Sequence, residues 1–324
     1  MKITCLERRG REGTMMCHVE KILKTKGIVF SDFSTNEPGD AFFTTINDLP
    51  KNISSPRKVA LLGGYHLKTN GVQPNMPWDR LTHVVFISTF YEKIARSSNN
   101  IKCNASVINF IGGCPADPDI FSPILIPKKI EFPLQFVCCA KFWKRPSKRL
   151  RQTVKLFNEY ILKKYPNSYL HVLGFLVSED KIDGRVIYHS KSHHDKKYVD
   201  IWKQSHIHLS LTALDSGPMT LNESLHYRIP FIYSNNCAAY DYISKLGKCG
   251  EIVEIDPPIS DARTCQKLCP ITNAKYYDRE LDYEKIMVSV DKVINNYDEY
   301  TSWSWNDQLN YDTIIDKWMN VFLT

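Results

Sequence analysis

The sequence predicts an α/β protein built from two parallel-sheet domains, and three observations carry that prediction. The chain has 324 residues, more than a usual single domain, so two units of about 150 are the natural division. Short apolar runs ending at glycine or turn residues and leading into helical stretches recur along it, the alternation from which parallel sheets are made. The clearest instance lies between Ile207 and Ser234: 207–211 reads as a buried strand and Asp215-Ser216-Gly217-Pro218 as a turn. A helix over 219–227 and a second strand over 231–234 complete one βαβ crossover.

From the N-terminus, 1–6 reads as an apolar strand, followed by a basic loop carrying Gly10 and Gly13. Gly13 or Thr14 can cap a helix that runs to about residue 25. A glycine loop at a helix N-terminus offers free amides and the positive dipole end to an anion. It lacks the GxGxxG spacing of a dinucleotide fingerprint, and a solvated basic turn is its plain alternative. A second strand falls at 28–33, while 41–49 is short and ambiguous. Residues 58–62 form a parallel-type strand running into Gly63-Gly64-Tyr65-His66. Open α/β sheets bind ligands at the carboxyl ends of their strands, so His66 stands where a ligand would be. With Gly71, Pro74 and Pro77, 67–80 reads as a loop; 83–88 is a strand, 89–97 a helix and 106–111 a strand closing at Gly112-Gly113. The proline-rich stretch 121–133 reads as a linker. The expected division is therefore 1–127 and 128–310, with a terminal helix over 311–324.

The second half opens with a buried strand at 134–140 that runs into Lys141, Phe142, Trp143, Lys144, Arg145, Pro146, Ser147, Lys148 and Arg149. A basic loop at a strand's end, leading into a helix to about residue 165, suits a diphosphate. A surface basic patch, or stacking of single-stranded bases on Phe142 and Trp143, are the alternatives. Strands follow at 169–175 and 186–189, and a short helix at 198–205. In the crossover, Asp215 and Glu223 stand eight positions apart, about two helical turns, one acid at the helix mouth and one within it. The plain alternative is an ordinary βαβ unit with a capping Asp and a surface Glu. A strand at 251–255 and loop-like residues at 260–278 precede a helix over 280–297 with Ile286, Val290, Val293 and Ile294 in register. The last helix places Ile314, Ile315, Trp318 and Phe322 on one face.

Composition narrows the function. Hydrophobic content of 43% and charged content of 24% are those of an ordinary globular protein. A net charge of +7 suits a phosphorylated ligand or an anionic surface and is not by itself a nucleic-acid signature. No apolar run reaches the roughly eighteen residues of a membrane span, and MKITCLERRGREG is too polar for a secretory signal. Ten cysteines without metal-ligand spacing are expected as reduced thiols in a cytoplasmic setting. His193-His194-Asp195 has the look of a metal tract, but a solvated loop is the expectation.

Asp215-x7-Glu223, with its Gly-Pro turn, resembles the E-x7-E motif of the retaining glycosyltransferases of family four, which have the two-domain GT-B fold. The resemblance implies that Glu223 binds the ribose of a nucleotide sugar and that Asp215, shorter than the usual Glu, lies beside the transferred sugar. Gly217, Pro218, Met219 and Thr220 would line the donor between them. The segment from Ala140 to Arg149 is similar to the family's Gly-Arg-Phe…Lys-Gly segment, in which Arg and Lys hold the donor diphosphate. Lys141 and Lys148 take those positions, with Ala140 and Arg149 where the family has glycine. The glycine-closed strand at 169–174 and the strand and turn at 251–258 also resemble family segments. Implied in turn are two Rossmann-like domains facing across a cleft, with a C-terminal helix crossing back. Asp215 and His66 would be catalytic, and the Gly10–Gly13 loop would lie over the cleft. The implied substrates are a UDP- or GDP-sugar donor and a glycan or other hydroxyl acceptor, with retention of configuration. No tightly bound cofactor and no metal are expected, nor a nucleic-acid partner; peripheral membrane contact stays open. The rival readings are an inactive GT-B relative acting as a scaffold, a nucleotide-sugar epimerase and an RNA-binding protein.

Overall fold

The computed structural model describes the chain apart from residues 6–14, 35–36, 45–48, 63–66, 69–70, 73–77, 98–102, 109–115, 117–120, 122–125, 140–145, 175–179, 191–195, 216, 269–273 and 305–310. Two parallel sheets form its frame. The strands are β1 (Lys2–Cys5), β2 (Val29–Asp32), β3 (Ala41–Thr44), β4 (Arg57–Leu62), β5 (Leu67–Lys68), β6 (Gly71–Val72), β7 (His83–Phe86) and β8 (Asn104–Val107). They continue with β9 (Gln135–Cys139), β10 (Tyr169–Leu173), β11 (Lys181–Asp183), β12 (Val186–Tyr188), β13 (Ile207–Ser210), β14 (Phe231–Ser234) and β15 (Gly250–Val253). The first sheet runs β2-β1-β3-β4-β7-β8, the second β11-β12-β10-β9-β13-β14-β15, and β5-β6 is a separate hairpin. Every pairing within the two sheets is parallel except β11 on β12.

Three segments differ from what patterning predicts. Residues 41–44, ambiguous in sequence, form β3 in the middle of the first sheet, with all four side chains buried. A strand covered on both faces loses the in-out alternation that marks a half-buried one. The expected loop at 260–278 contains the helices Ala262–Leu268 and Ala274–Tyr277, both too short to show a helical period. The expected loop at 67–80 contains the β5-β6 hairpin and a tight turn at Trp78–Arg80.

Packing ties the sheets together. One core runs from Ile3, Phe43, Leu61 and Val85 of the first sheet, through Leu221 and Leu225 of the crossover helix, to Phe231 and Tyr233 of β14. The final helix, Tyr311–Leu323, belongs to this core and lies on the first sheet: Phe43 meets Trp318 and Phe322 edge-on, with ring centroids 5.2 and 5.5 Å away. On the other face of the first sheet, Phe42, Leu62 and Phe86 share a core with Leu214 and Ile259 from the second half. Between β9 and the helices Leu150–Leu156 and Tyr283–Asn295 lies a third core, with Phe136, Cys138, Phe157 and Ile286 fully or nearly fully buried. Asp282, not Glu280, starts the latter helix, its carboxylate accepting the Lys285 amide at 3.0 Å. Among the described residues, no helix is long and apolar enough to cross a membrane.

Candidate active site

Sheet order decides where a ligand can sit. In the second sheet the chain runs outward from β9 through β10 to β12, then returns to the opposite side of β9 with β13. The order reverses between β9 and β13, and in open α/β sheets such a switch point is where a ligand crevice lies, outside the carboxyl ends of the strands. One loop ends in the turn Pro146–Lys148 and the helix Leu150–Leu156. The other is 211–218, leading into the helix Met219–His226. A backbone bond joins them, the Ala213 amide donating to the Ser147 carbonyl at 2.8 Å.

Two of the residues singled out by sequence meet at this join. The Lys148 ammonium donates to Asp215 Oδ2 at 3.0 Å, with side chains 26% and 11% exposed. Asp215 is fixed by its backbone, its amide on the Asn236 carbonyl and its own carbonyl receiving the Ala238 amide, both at 3.0 Å. Its Oδ1 accepts the Gly217 amide at 3.3 Å, and the N-cap of the crossover helix is Pro218. Asp215 therefore shapes the turn instead of capping the helix.

Glu223 is not a surface residue. It is 2% exposed and accepts a 2.6 Å hydrogen bond at Oε2 from the Tyr198 hydroxyl. Burial, then the neighbouring Cys139 and Glu223, hold the Tyr198 phenol well above its usual range, so it stays a donor. With the phenol proton given to Glu223, the Cys139 thiol 3.9 Å away donates to the Tyr198 oxygen. Burial and the Glu223 charge likewise push that thiol well up.

At Gly217 a side chain would press on the opposite sheet. A β-carbon there would stand 2.3 Å from Cδ1 and 2.9 Å from Cγ1 of Ile87, the residue after β7. Gly217 follows β13 and Ile87 follows β7, so the carboxyl ends of the two sheets touch at this point. Close by, the Asp241 carboxylate accepts the Thr89 amide at 2.7 Å and the Thr89 hydroxyl, holding the start of the helix Thr89–Arg96 from across the crevice.

Sequence reasoning misses the residues behind this geometry. Arg149 joins the Pro146–Lys148 turn to the following helix in the left-handed region, at φ 49° and ψ 37°. That region is natural for glycine and costs another residue roughly 1–2 kcal/mol, which is why a glycine would suit this position. Arg149 keeps it with a buried fork: Nη1 and Nη2 each donate to Asp256 at 2.7 Å, both side chains at 0% exposure. Asp256 also accepts from Arg279 at 2.7 Å and Tyr276 at 3.2 Å. In sequence, Asp256 is one acid in a turn and Tyr198 one aromatic in a short helix; only the fold brings them to Arg149 and Glu223. Of the other expected site residues, Pro218, Met219 and Thr220 open the crossover helix at the crevice. His66, Lys141, Gly10 and Gly13 lie outside the described residues, as do His193, His194 and Asp195. Among the described residues, no group of three His, Cys, Asp or Glu could hold a metal ion.

Two Rossmann-like parallel sheets touching at their carboxyl ends, with a last helix crossing back, make a GT-B architecture, and solved structures agree. WaaG, a glycosyltransferase involved in lipopolysaccharide biosynthesis, matches at TM-score 0.54 and 10% identity over 100% of both chains. Sucrose-phosphate synthase from Thermosynechococcus elongatus matches at 0.56 and 8%, over 100% of this chain and 96% of that one. The pneumococcal O-GlcNAc transferase GtfA, solved with UDP and GlcNAc, matches at 0.56 and 13%, over 94% of this chain and 59% of that one. At such identities the likeness is one of fold. No protein-family model matches the chain, and no curated protein sequence does.

Proposed function

We propose that the protein is a glycosyltransferase that moves a sugar from a nucleoside-diphosphate sugar to a hydroxyl acceptor, with retention of configuration. The observation that carries this reading is the Lys148–Asp215 pair, set where the sheet order reverses and beside the N-terminus of the crossover helix. A lysine ammonium has three donors, so Lys148 can keep its bond to Asp215 and still offer two N–H groups to a diphosphate. The amide end of Met219–His226 adds positive potential for the same charge. As the glycosidic bond breaks, negative charge grows on the diphosphate, which Lys148 and Lys141 neutralise. Positive charge grows on the sugar ring, which the Asp215 carboxylate stabilises, with His66 positioning the sugar. Glu223, whose Oε2 accepts the Tyr198 hydroxyl, takes the ribose hydroxyls. That the fold is shared with GtfA, solved with UDP and GlcNAc, supports a nucleotide-sugar donor.

The test is thermal stabilisation by a panel of UDP-, GDP- and ADP-sugars. A ligand bound to the native state at a hundred times its dissociation constant stabilises it by about 2.7 kcal/mol. One donor is expected to shift the melting temperature, and the shift should vanish in Lys148→Ala and shrink in Glu223→Gln. A well-folded sample that responds to none of the panel would overturn the reading.

A further inference from the structure

We infer that Arg149, through its fork on Asp256, is a positioning residue that sets the direction of the Lys148 ammonium; the inference rests on the donor reading above for what Lys148 touches. Three observations meet here. Arg149 is the single residue between the Pro146–Lys148 turn and the helix that starts at Leu150, and both sides hang on its backbone. Its amide closes the turn on the Pro146 carbonyl at 3.0 Å, and its carbonyl receives the Thr153 amide at 2.9 Å. Its φ of 49° therefore fixes the angle between turn and helix, and with it the side on which Lys148 emerges. The Ala213–Ser147 bond fixes where the turn lies but leaves that angle free.

The side chain holds the angle. Two parallel bonds from one guanidinium to one carboxylate leave little freedom of rotation, and a third N–H contact reaches the Leu211 carbonyl at 3.4 Å. The Asp256 end is itself immobilised. Its amide donates to Asn235 Oδ1 at 2.9 Å, and its carbonyl accepts from Asn235 Nδ2 at 2.8 Å. Arg279 and Tyr276 hold the carboxylate from the far side, with Tyr276 beneath both guanidinium groups at 5.9 and 5.1 Å. Arg149 thus joins the carboxyl end of β15 to that of β9, and Lys148 is the polar side chain next to it on the crevice side.

Arg149→Gly separates positioning from mere bracing, because glycine accepts the left-handed conformation while losing the fork. Two measurements are made on the full chain. One is the rate of Lys148 acylation by an amine-reactive ester, read by peptide mass spectrometry against other lysines. The other is the affinity for UDP, GDP and ADP against that for the parent nucleosides. In Arg149→Gly, Lys148 labelling is expected to rise severalfold, and nucleoside-diphosphate affinity to fall about tenfold, the loss of one charge-assisted hydrogen bond. Nucleoside affinity should not change, which a general loosening of the fold would not spare. A folded Arg149→Gly protein with unchanged labelling and unchanged diphosphate affinity would overturn the inference. If the wild type binds none of the three diphosphates while labelling still rises in the variant, the donor reading fails and the positioning role stands. Should Arg149→Gly not fold, the Arg149→Gly/Asp256→Asn double variant leaves no charge of that pair behind. In it, raised labelling with weakened diphosphate binding supports the positioning role, and no change in either overturns it.

Discussion

Gly217→Ala is the sharpest probe of how the two sheets meet. The residue lies outside the left-handed region, so its backbone accepts alanine and the cost is one of contact. The new methyl would stand 2.3 Å from Ile87 Cδ1 and 2.9 Å from Cγ1, where carbon atoms rest at about 3.5–4.0 Å. Ile87 is itself 0% exposed and has nowhere to turn freely. Overpacking of this kind costs about 1–3 kcal/mol. Each kcal/mol lowers the melting temperature by roughly 2–4 °C in a protein of 150–250 residues. Ile87→Ala alone should cost about 2–5 kcal/mol by opening a cavity. It removes both clashing atoms, leaving a β-carbon 3.6 Å from the new methyl, an ordinary contact. In the Ile87→Ala background, Gly217→Ala should therefore be neutral or stabilising. Denaturant melts of the four proteins give the coupling directly. If the two changes add within about 0.5 kcal/mol, the residues do not touch in solution and the contact between the two sheets' carboxyl ends is refuted.

The other predictions concern neighbouring contacts and pH. Asp241→Ala should lower stability by about 1–2 kcal/mol, since the Thr89 helix loses a carboxylate at its N-terminus, and chemical denaturation should show the midpoint moving down. Tyr198→Phe removes one donor from the buried Glu223 carboxylate, a cost of about 1–3 kcal/mol that a thermal melt can read. Acid should destabilise the fold through its buried imidazoles. Burial lowers His226 to about 4 and His208, set edge-on between Trp202 and Tyr233, to about 3. Between pH 6.5 and about 4 the unfolded chain binds protons that the native state refuses, so stability falls as pH falls across that window. At 1.36 kcal/mol per pH unit, His226 alone contributes on the order of 3 kcal/mol. A flat stability profile from pH 7 to 4 would contradict the neutral burial of these rings.

How much of this is written in the sequence depends on whether a feature is local. The crossover is local: apolar 207–210, the Gly-Pro turn and apolar 231–234 lie close enough in sequence for a parallel pair to be read directly. The last helix shows its face through Ile314, Ile315, Trp318 and Phe322, and that face is the one packed on the first sheet. β3 is hidden because burial on both faces erases alternation, and the helices of 262–268 and 274–277 because each spans at most two turns. At the site, Lys148 and Asp215 are marked by charge at strand ends. Arg149 is visible only as a cation where a glycine would suit, since nothing local says its chain turns left-handed there. Its partner Asp256 lies more than a hundred positions away, beyond the reach of any periodicity.

The Phe43–Trp318 contact has a consequence for how the chain is made. Trp318 is about 275 positions after Phe43 and supplies part of the wall of the first sheet's core. At a synthesis rate of roughly 5–20 residues per second, the first sheet waits on the order of 14–55 s for that wall after its third strand has been translated. During that interval Phe43, Leu61 and Val85 have only part of their covering, and the surface left open is the kind that chaperones hold. Such long separation between contacting residues also slows folding, because the loop must close before the contact repays it. The amino-terminal half is then the first to be translated and the last to be finished, and its yield should depend on events at the other end of the sequence.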